Sequence, residues 1–347
     1  MSHTVTVKFV AKGNTASDWT VWARQLPGTD KIWKSCRFIF DPEARDYDWL
    51  VVYDDLPPAA GERFSLRTEH LACPASNTLF ITAEPSRIKT YGRDFLNQFG
   101  VVISSQEEWT APQGKTLHTI PGLRWYHGVP MDWRQKPETL TTYDQMLAHP
   151  PLEKTKLIST LCSSKNMAHT LHGQRIALTS LFEQHIRGIE IFGHGRRFIN
   201  DKKDALDPFR YHIAIENHLC RHHVTEKLTD GFLGLCLPFY FGCPNAADYF
   251  PAESFIALDM NRPEEAVAVI KQAIADNEWE KRLPAIREAR RRVMEEHNLF
   301  AIIERVVSSR ATTGNAGGTV LSRRLMQRKN PLHAVRFAAE RLRARFG

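Results

Sequence analysis

The feature that most constrains this chain is a rhythm. Short, wholly apolar runs stop on acids, prolines or glycines, and the stretches between them are long enough for a helix. Trp49–Tyr53 (WLVVY) ends on Asp54, Asp55 and Pro57, Thr78–Ala83 (TLFITA) ends on Glu84-Pro85, and Gly100–Ser104 (GVVIS) is a third such run. Runs apolar on both faces suit a parallel sheet covered by helices on both sides. Thr4–Val10 alternates as a further strand, and Arg87–Gln98 is predicted as a helix. After an interval rich in Pro, Gly and Trp, from Trp109 to Pro151, the rhythm resumes at Lys156 (KLISTLCSS). A helix is predicted over Gly173–Glu183. Strands are predicted over Gly188–Phe192, His212–Glu216, Leu235–Phe241 and Ser254–Leu258, with a helix over Val224–Leu233. Glu264–Ala275 sets Ala266, Val267, Ile270, Ala273 and Ile274 on one helical face.

Two α/β units in succession predict two Rossmann-like domains facing across a cleft. The expected domains are 1–152 on the acceptor side and 153–313 on the donor side, followed by a basic tail, 314–347, after the flexible break Gly314–Gly318. In open α/β sheets ligands bind beyond the carboxyl ends of the strands. Chemistry is therefore sought at Asp54, at Glu84, in residues 163–175 and 194–197, and in residues 216–227.

With 42% hydrophobic and 24% charged residues, the composition excludes a largely disordered chain and a collagen-like repeat. The net charge is +7, and residues 316–347, with eight basic residues against the single acid Glu340, account for all of it. The body is neutral, which argues against a nucleic-acid partner, since such proteins carry basic charge on the folded face that meets phosphate. Six scattered cysteines without a CxxC pair predict reduced, buried thiols rather than a zinc ribbon or a disulfide framework. The N-terminal apolar run is broken by Lys8 and Lys12, and no run reaches the roughly 20 apolar residues of a membrane span. The expected location is the cytoplasm.

The densest chemistry lies in Tyr211–Asp259. A strand delivers Glu216 and Asn217, a polar loop follows, and Val224-Thr225-Glu226-Lys227 opens a helix. A helix start presents free N–H groups and partial positive charge, which favour phosphate. Lys227 adds a full charge, and Glu226 can accept hydrogen bonds from sugar hydroxyls. The combination suits a nucleotide sugar. The same residues also suit an ordinary helix start, with Thr225 as N-cap and a solvated Glu-Lys pair behind it. His222-His223 and Asp54-Asp55 each read either as ligand contacts or as loop polarity, and Arg290-Arg291-Arg292 as an exposed helix face. Trp125, Tyr126 and Trp133 read either as a stacking surface for an acceptor sugar or as loop packing.

This stretch resembles the donor-binding motif of glycosyltransferase family 10, the α-1,3/4-fucosyltransferases. Glu216-Asn217 stands six residues before Val224-Thr225-Glu226-Lys227, and Pro238-Phe239-Tyr240-Phe241-Gly242 and Ser254-Phe255-Ile256 follow in order. Ser163-Ser164-Lys165, Arg175 and the GIEIFGHG segment, Gly188–Gly195, are similar to the family's preceding strand, arginine helix and turn. The resemblance runs from about Leu157 to Val307. In the first half it rests on Thr82-Ala83-Glu84-Pro85, an acid between a strand and a helix. An exposed strand-end acid accounts for Glu84 equally well.

The resemblance implies a GT-B type fold and inverting transfer of a sugar from a nucleotide diphosphate to a glycan hydroxyl. The default sugar is L-fucose from GDP-fucose. Glu84 would be the general base, and Arg175 and Lys227 would stabilise the departing diphosphate. Asn217, Glu216, His223, Thr225 and Glu226 would line the donor site, with Glu226 also supporting the sugar cation. No cofactor is required on this reading, although a divalent metal can stimulate such transfer. The acceptor would be an oligosaccharide or lipid-linked glycan, as in lipopolysaccharide assembly. The tail at 316–347 would touch an anionic membrane surface, or else serve as a solubilising extension. The chain departs from the family pattern at His223, where Tyr is usual, at Ile215, where Phe is usual, and at Arg221-His222, where an acid is usual. Another GDP-linked sugar, and an inactive glycan- or nucleotide-binding relative, are the alternatives.

Overall fold

The computed structural model describes residues 4–12, 19–162, 172–193, 195–310 and 314–346. The first expected strand and the apolar runs at 49, 78 and 101 fall in one sheet, because hydrocarbon on both faces is satisfied only between layers. Its strands are β1 (Val5–Ala11), β2 (Ile32–Trp33), β3 (Cys36–Ile39), β4 (Trp49–Tyr53), β6 (Thr78–Ile81), β7 (Val101–Ser104) and β8 (Thr116–His118). A separate short strand, β5 (Thr68–His70), lies outside it. The order is β2-β3-β1-β4-β6-β7-β8, all parallel except the β2–β3 edge pair. Strand β1 pairs with β3 on one side and β4 on the other, so the winding reverses between β1 and β4. One face buries Leu50, Val52, Phe80 and Val102 against Tyr91, Phe95 and Phe99. On the other face the Phe9 ring meets Trp22, Phe40 and Phe300 at centroid distances of 5.4, 5.8 and 5.7 Å.

The second sheet holds β9 (Lys156–Leu161), β10 (Ile189–Phe192), β11 (Phe209–Ile215), β12 (Leu237–Phe241) and β13 (Ile256–Ala257). All five are parallel, in the order β10-β9-β11-β12-β13. Here the winding reverses between β9 and β11. Helices α4 (His172–His185), α5 (Glu226–Leu233), α6 (Pro263–Ala275) and α7 (Glu278–Glu295) accompany it. The expected face of α6 is inward: Ala266, Val267, Ile270 and Ala273 join Phe182, Tyr211 and Phe239 in the core.

The compact units are Met1–Gly122 with Cys220–His223 and Leu299–Gly347, and Leu123–Leu219 with Val224–Asn298. This division differs from the expected one. The boundary set at 152 falls inside the second unit. The tail from 314 is not a separate appendage, because the chain returns to the first unit through helix α8 (Leu299–Ser308), whose Phe300 sits 4.7 Å from the Phe38 ring. Strand β14 (Thr319–Leu321) then pairs antiparallel with β5. Helices α9 (Arg323–Lys329) and α10 (Pro331–Phe346) follow, and His333 Nδ1 lies 2.6 Å from Asp94 Oδ2.

Two more expectations are corrected. Of Arg87–Gln98 only α2 (Arg93–Leu96) is α-helical. Gly92 has φ +93°, and the residues before it are tied to strand ends. Arg290 is buried rather than exposed. Its Nε donates to the Leu233 carbonyl at the end of α5 (3.1 Å) and its Nη2 to Met146 O, whereas Arg291 holds the solvated carboxylates of Glu288, Glu295 and Glu296. Trp125 and Trp133 are buried as loop packing. Among the described residues no helix is long and apolar enough to cross a membrane.

Candidate functional site

In the second unit the site is built at the winding reversal, where two neighbouring strands send their connections to opposite faces and leave a crevice. A cavity of about 200 Å³ opens there. It is lined by Leu161 at the end of β9 and Cys162 just beyond it, by Ile213–Ile215 at the end of β11, and by Arg175, Lys202, Glu226, Lys227 and Asp230.

Glu216 organises the corner. It follows β11 and is 1% exposed. Its carboxylate accepts from the Thr225 backbone N–H (3.0 Å) and from the Thr225 hydroxyl (2.6 and 2.7 Å). The Tyr240 hydroxyl lies 3.4 Å away and Lys227 Nζ 3.4 Å away. Burial pushes the Glu216 carboxyl above its ordinary range, with Lys227 pulling the other way. The Thr225 hydroxyl in turn accepts from the Lys227 N–H at 3.3 Å, the expected N-cap. Gly242 is required by this packing. A Cβ there would lie 2.4 Å from Glu216 Cγ and 2.4 Å from the Tyr240 hydroxyl. The spacing of Glu216, Thr225 and Gly242 in sequence is thus the spacing of one buried hydrogen-bonded knot.

That knot aims Lys227 and Glu226. Lys227 Nζ is 3.2 Å from Glu226 Oε1, and Lys202 Nζ is 3.5 Å from the same oxygen. Lys202 also meets Asp230 at 3.2 Å and lies 5.0 Å from the Tyr126 ring centroid. Burial works against charge on Glu226, yet Lys227 and Lys202 outweigh it and hold the carboxyl far below its usual range. Burial likewise opposes the charge on Lys227, and Glu226 and Glu216 overcome it, so the ammonium persists. Arg175, on α4, donates from Nη1 to Asn217 Oδ1 at 2.7 Å, while its buried Nε meets no hydrogen-bond partner among the described residues. Arg175 is near enough to oppose the charge on Lys227. Two cations that repel each other at a crevice are relieved by an anion between them.

Sequence reasoning missed Lys202, Asp230 and His212. His212 lies in β11 and lines the cavity. The Ser159 hydroxyl donates to Ala205 O (2.5 Å), so it accepts from His212 Nδ1 at 2.9 Å. Burial first, and Lys202 second, push the imidazole down to about 3, so it is neutral at ordinary pH. A histidine inside an apolar strand was the available signal.

The remaining predicted residues fall elsewhere. His223 belongs to the first unit, with its Nδ1 3.2 Å from the Ser105 hydroxyl. Glu84 also belongs to the first unit, exposed just beyond β6. Its loop is fixed from below. The Tyr91 hydroxyl accepts from the N–H groups of Ala83 (2.8 Å) and Glu84 (3.3 Å) and donates to Asp54 (2.7 Å). Gln106 Nε2 donates to the carbonyls of Glu84 (2.6 Å) and Lys89 (2.8 Å). Asp54 also pairs with Lys89, so it is occupied in bracing this loop. Ser163-Ser164-Lys165 and His194 lie outside the described residues.

Fold and corner together define a class: an α/β domain that sets two cations, Arg175 and Lys227, on one cavity at its winding reversal. Residues 151–282 match the family model Glycosyltransferase family 10 (fucosyltransferase) C-term. The curated 4-galactosyl-N-acetylglucosaminide 3-alpha-L-fucosyltransferase 9 of Mus musculus is 29% identical over 132 residues, 36% of this chain and 35% of that one. Alpha-(1,3)-fucosyltransferase FucT of Helicobacter pylori is 30% identical over 74 residues, 21% of this chain and 16% of that one. The match to the first of these spans about a third of the relative's length. A solved structure of alpha1,3-fucosyltransferase with GDP-fucose is 15% identical, covers 82% of each chain and has a TM-score of 0.46.

Proposed function

We propose that this chain is an inverting glycosyltransferase that moves L-fucose from GDP-fucose to a hydroxyl of a glycan acceptor. The observation that carries the reading is the convergence of Arg175, Asn217, Glu226 and Lys227 at the winding reversal of the unit that matches the family model. In the reaction the acceptor oxygen bonds to the anomeric carbon as the carbon–oxygen bond to the diphosphate breaks. Positive charge grows on the sugar ring and negative charge on the leaving group. Arg175 and Lys227 receive the leaving charge, one as a planar fork and the other as a point charge, without calling on a resident metal ion. Glu226 holds sugar hydroxyls and supports the cationic ring. Asn217 orients the Arg175 fork, and Glu216 and Thr225 hold Lys227 in place. Glu84 takes the proton of the attacking hydroxyl.

Calorimetric titration with GDP, UDP and NAD, followed by assay of GDP release from GDP-fucose with glycan acceptors, tests this reading. GDP binding with acceptor-dependent release is expected. Preference for NAD, or no nucleotide binding, would sink it. Release from a different GDP-sugar would change the donor and keep the mechanism, and GDP binding without turnover would point to an inactive relative. Glu84→Gln should lower turnover by about 10²–10⁴-fold and leave GDP affinity unchanged.

A second reading concerns location. Leu332, Val335, Leu342 and Phe346 recur along α10, each more than half exposed, among Arg336, Arg343 and Arg345. We propose that this stripe rests on an anionic membrane, on the cytoplasmic side where lipid-linked glycans are assembled. Leu342→Ser with Phe346→Ser should weaken sedimentation with phosphatidylglycerol vesicles and leave sedimentation with neutral vesicles unchanged. Equal sedimentation of both proteins would end the proposal.

A further inference from the structure

The first unit has its own cavity at its own winding reversal, and the donor reading does not use it. Its volume is about 550 Å³, within the range of sites that take small organic ligands. Lys12 reaches it from the end of β1 and Asp55 from the end of β4, the two strands between which the winding reverses. Lys89 enters from the loop beyond β6. Helix α9 supplies Arg323, Arg324 and Arg328, and α10 supplies Arg341.

The charges do not cancel. Lys89 is paired with Asp54, and Arg323 lies 3.9 Å from Asp55. No ion pair engages Lys12, Arg324, Arg328 or Arg341 among the described residues, so four cations without carboxylate partners surround one concavity. Apolar surface sits among them. The Arg324 guanidinium lies over the Phe64 ring at 3.8 Å from its centroid, and both Phe64 and Ile88 are about two-fifths exposed. A guanidinium laid flat on an aromatic ring presents its N–H edge for bidentate contact with a planar or tetrahedral oxyanion. Exposed aromatic and aliphatic faces beside it suit the C–H face of a sugar ring.

We propose that this cavity binds an anionic substituent, a phosphate or a carboxylate, carried by the saccharide acceptor. The assignment to the acceptor rests on the glycosyltransferase reading above, whereas the anion site itself does not. It would restrict the acceptor to charged glycans. It also explains why the basic tail folds back onto the first unit, since the tail supplies four of the cavity's six cations.

The test is NMR-detected titration of the full chain with glucose 1-phosphate, galacturonic acid and neutral glucose, with phosphatidylglycerol vesicles as a separate arm. The charged saccharides should bind, glucose should not, and binding should fade as salt is raised. Arg324→Ala with Arg341→Ala should weaken binding about tenfold or more, with Arg324→Lys intermediate. Both side chains are exposed, so the fold should tolerate their loss. Lys227→Ala should leave this binding unchanged while abolishing the response to GDP, which separates the two sites. Equal binding of glucose, equal affinity in the double variant, or binding confined to vesicles would overturn the proposal. Anion binding that persists in a chain indifferent to GDP would leave the anion site standing and remove its assignment to an acceptor.

Discussion

On the proposed mechanism, Lys227→Ala should reduce fucose transfer by about 10²–10³-fold, chiefly in kcat, the loss expected when a group meant to meet charge developing on the leaving diphosphate is removed. The substitution also leaves Glu216 and Glu226 without their shared cation. Some loss of stability is therefore expected beside the loss of turnover, and thermal unfolding of the variant separates the two. Arg175→Ala should act comparably. Its Nη1 already holds Asn217, while its buried Nε meets no partner among the described residues. Arg175→Lys should recover only part of the rate, because an ammonium cannot hold Asn217 and a phosphate oxygen in one plane. Initial rates of GDP release at saturating GDP-fucose provide the measurement. Transfer at the wild-type rate by both alanine variants would remove the donor site from this crevice.

Much of this site was legible because its chemistry is packed into one continuous stretch. Glu216, Thr225, Lys227 and Gly242 are spaced by a strand, a loop, a helix start and the next strand, so a single knot leaves a readable sequence pattern. The apolar runs at 49, 78 and 101 were equally legible, since strands buried on both faces tolerate little but hydrocarbon. What was not legible depends on partners distant in sequence. Lys202, His212 and Asp230 come from three elements, and only His212, a histidine inside an apolar strand, carries a local signal. Strand β14 pairs with β5 some 250 residues earlier, so neither short segment looks like a strand alone. Arg290 sits in a run of three arginines and is distinguished only by the carbonyls of Leu233 and Met146 that it meets. The helix expected over Arg87–Gln98 lost to tertiary contacts. Tyr91, Lys89 and Gln106 are drawn to Asp54 and to the Glu84 loop, and those bonds are incompatible with a continuous helix.

Acid should destabilise the second unit through His212, and His212→Asn should blunt the effect. The imidazole is buried in β11, donates to Ser159, and is held neutral with its pKa pushed down to about 3, against 6.5 in an unfolded chain. Between those values the unfolded chain binds a proton that the folded chain refuses. Stability is therefore fully present above about pH 6.5 and is lost as pH falls below it. Down to pH 4.5 the loss from this group amounts to about 3 kcal/mol. Glu226 acts in the same direction at lower pH, because a carboxyl held far below its usual range is protonated more readily in the unfolded chain. Its contribution begins near the ordinary carboxyl range, so the window from pH 6.5 to 5 belongs mainly to the histidine. Urea titrations at pH 7.5, 6.5, 5.5 and 4.5 should show the wild-type midpoint falling steeply. The asparagine variant should be weaker at pH 7.5, where it has lost packing, and flatter across the series. Curves that fall in parallel would show that the His212 imidazole already takes up its proton in the folded chain, against the burial that holds it neutral.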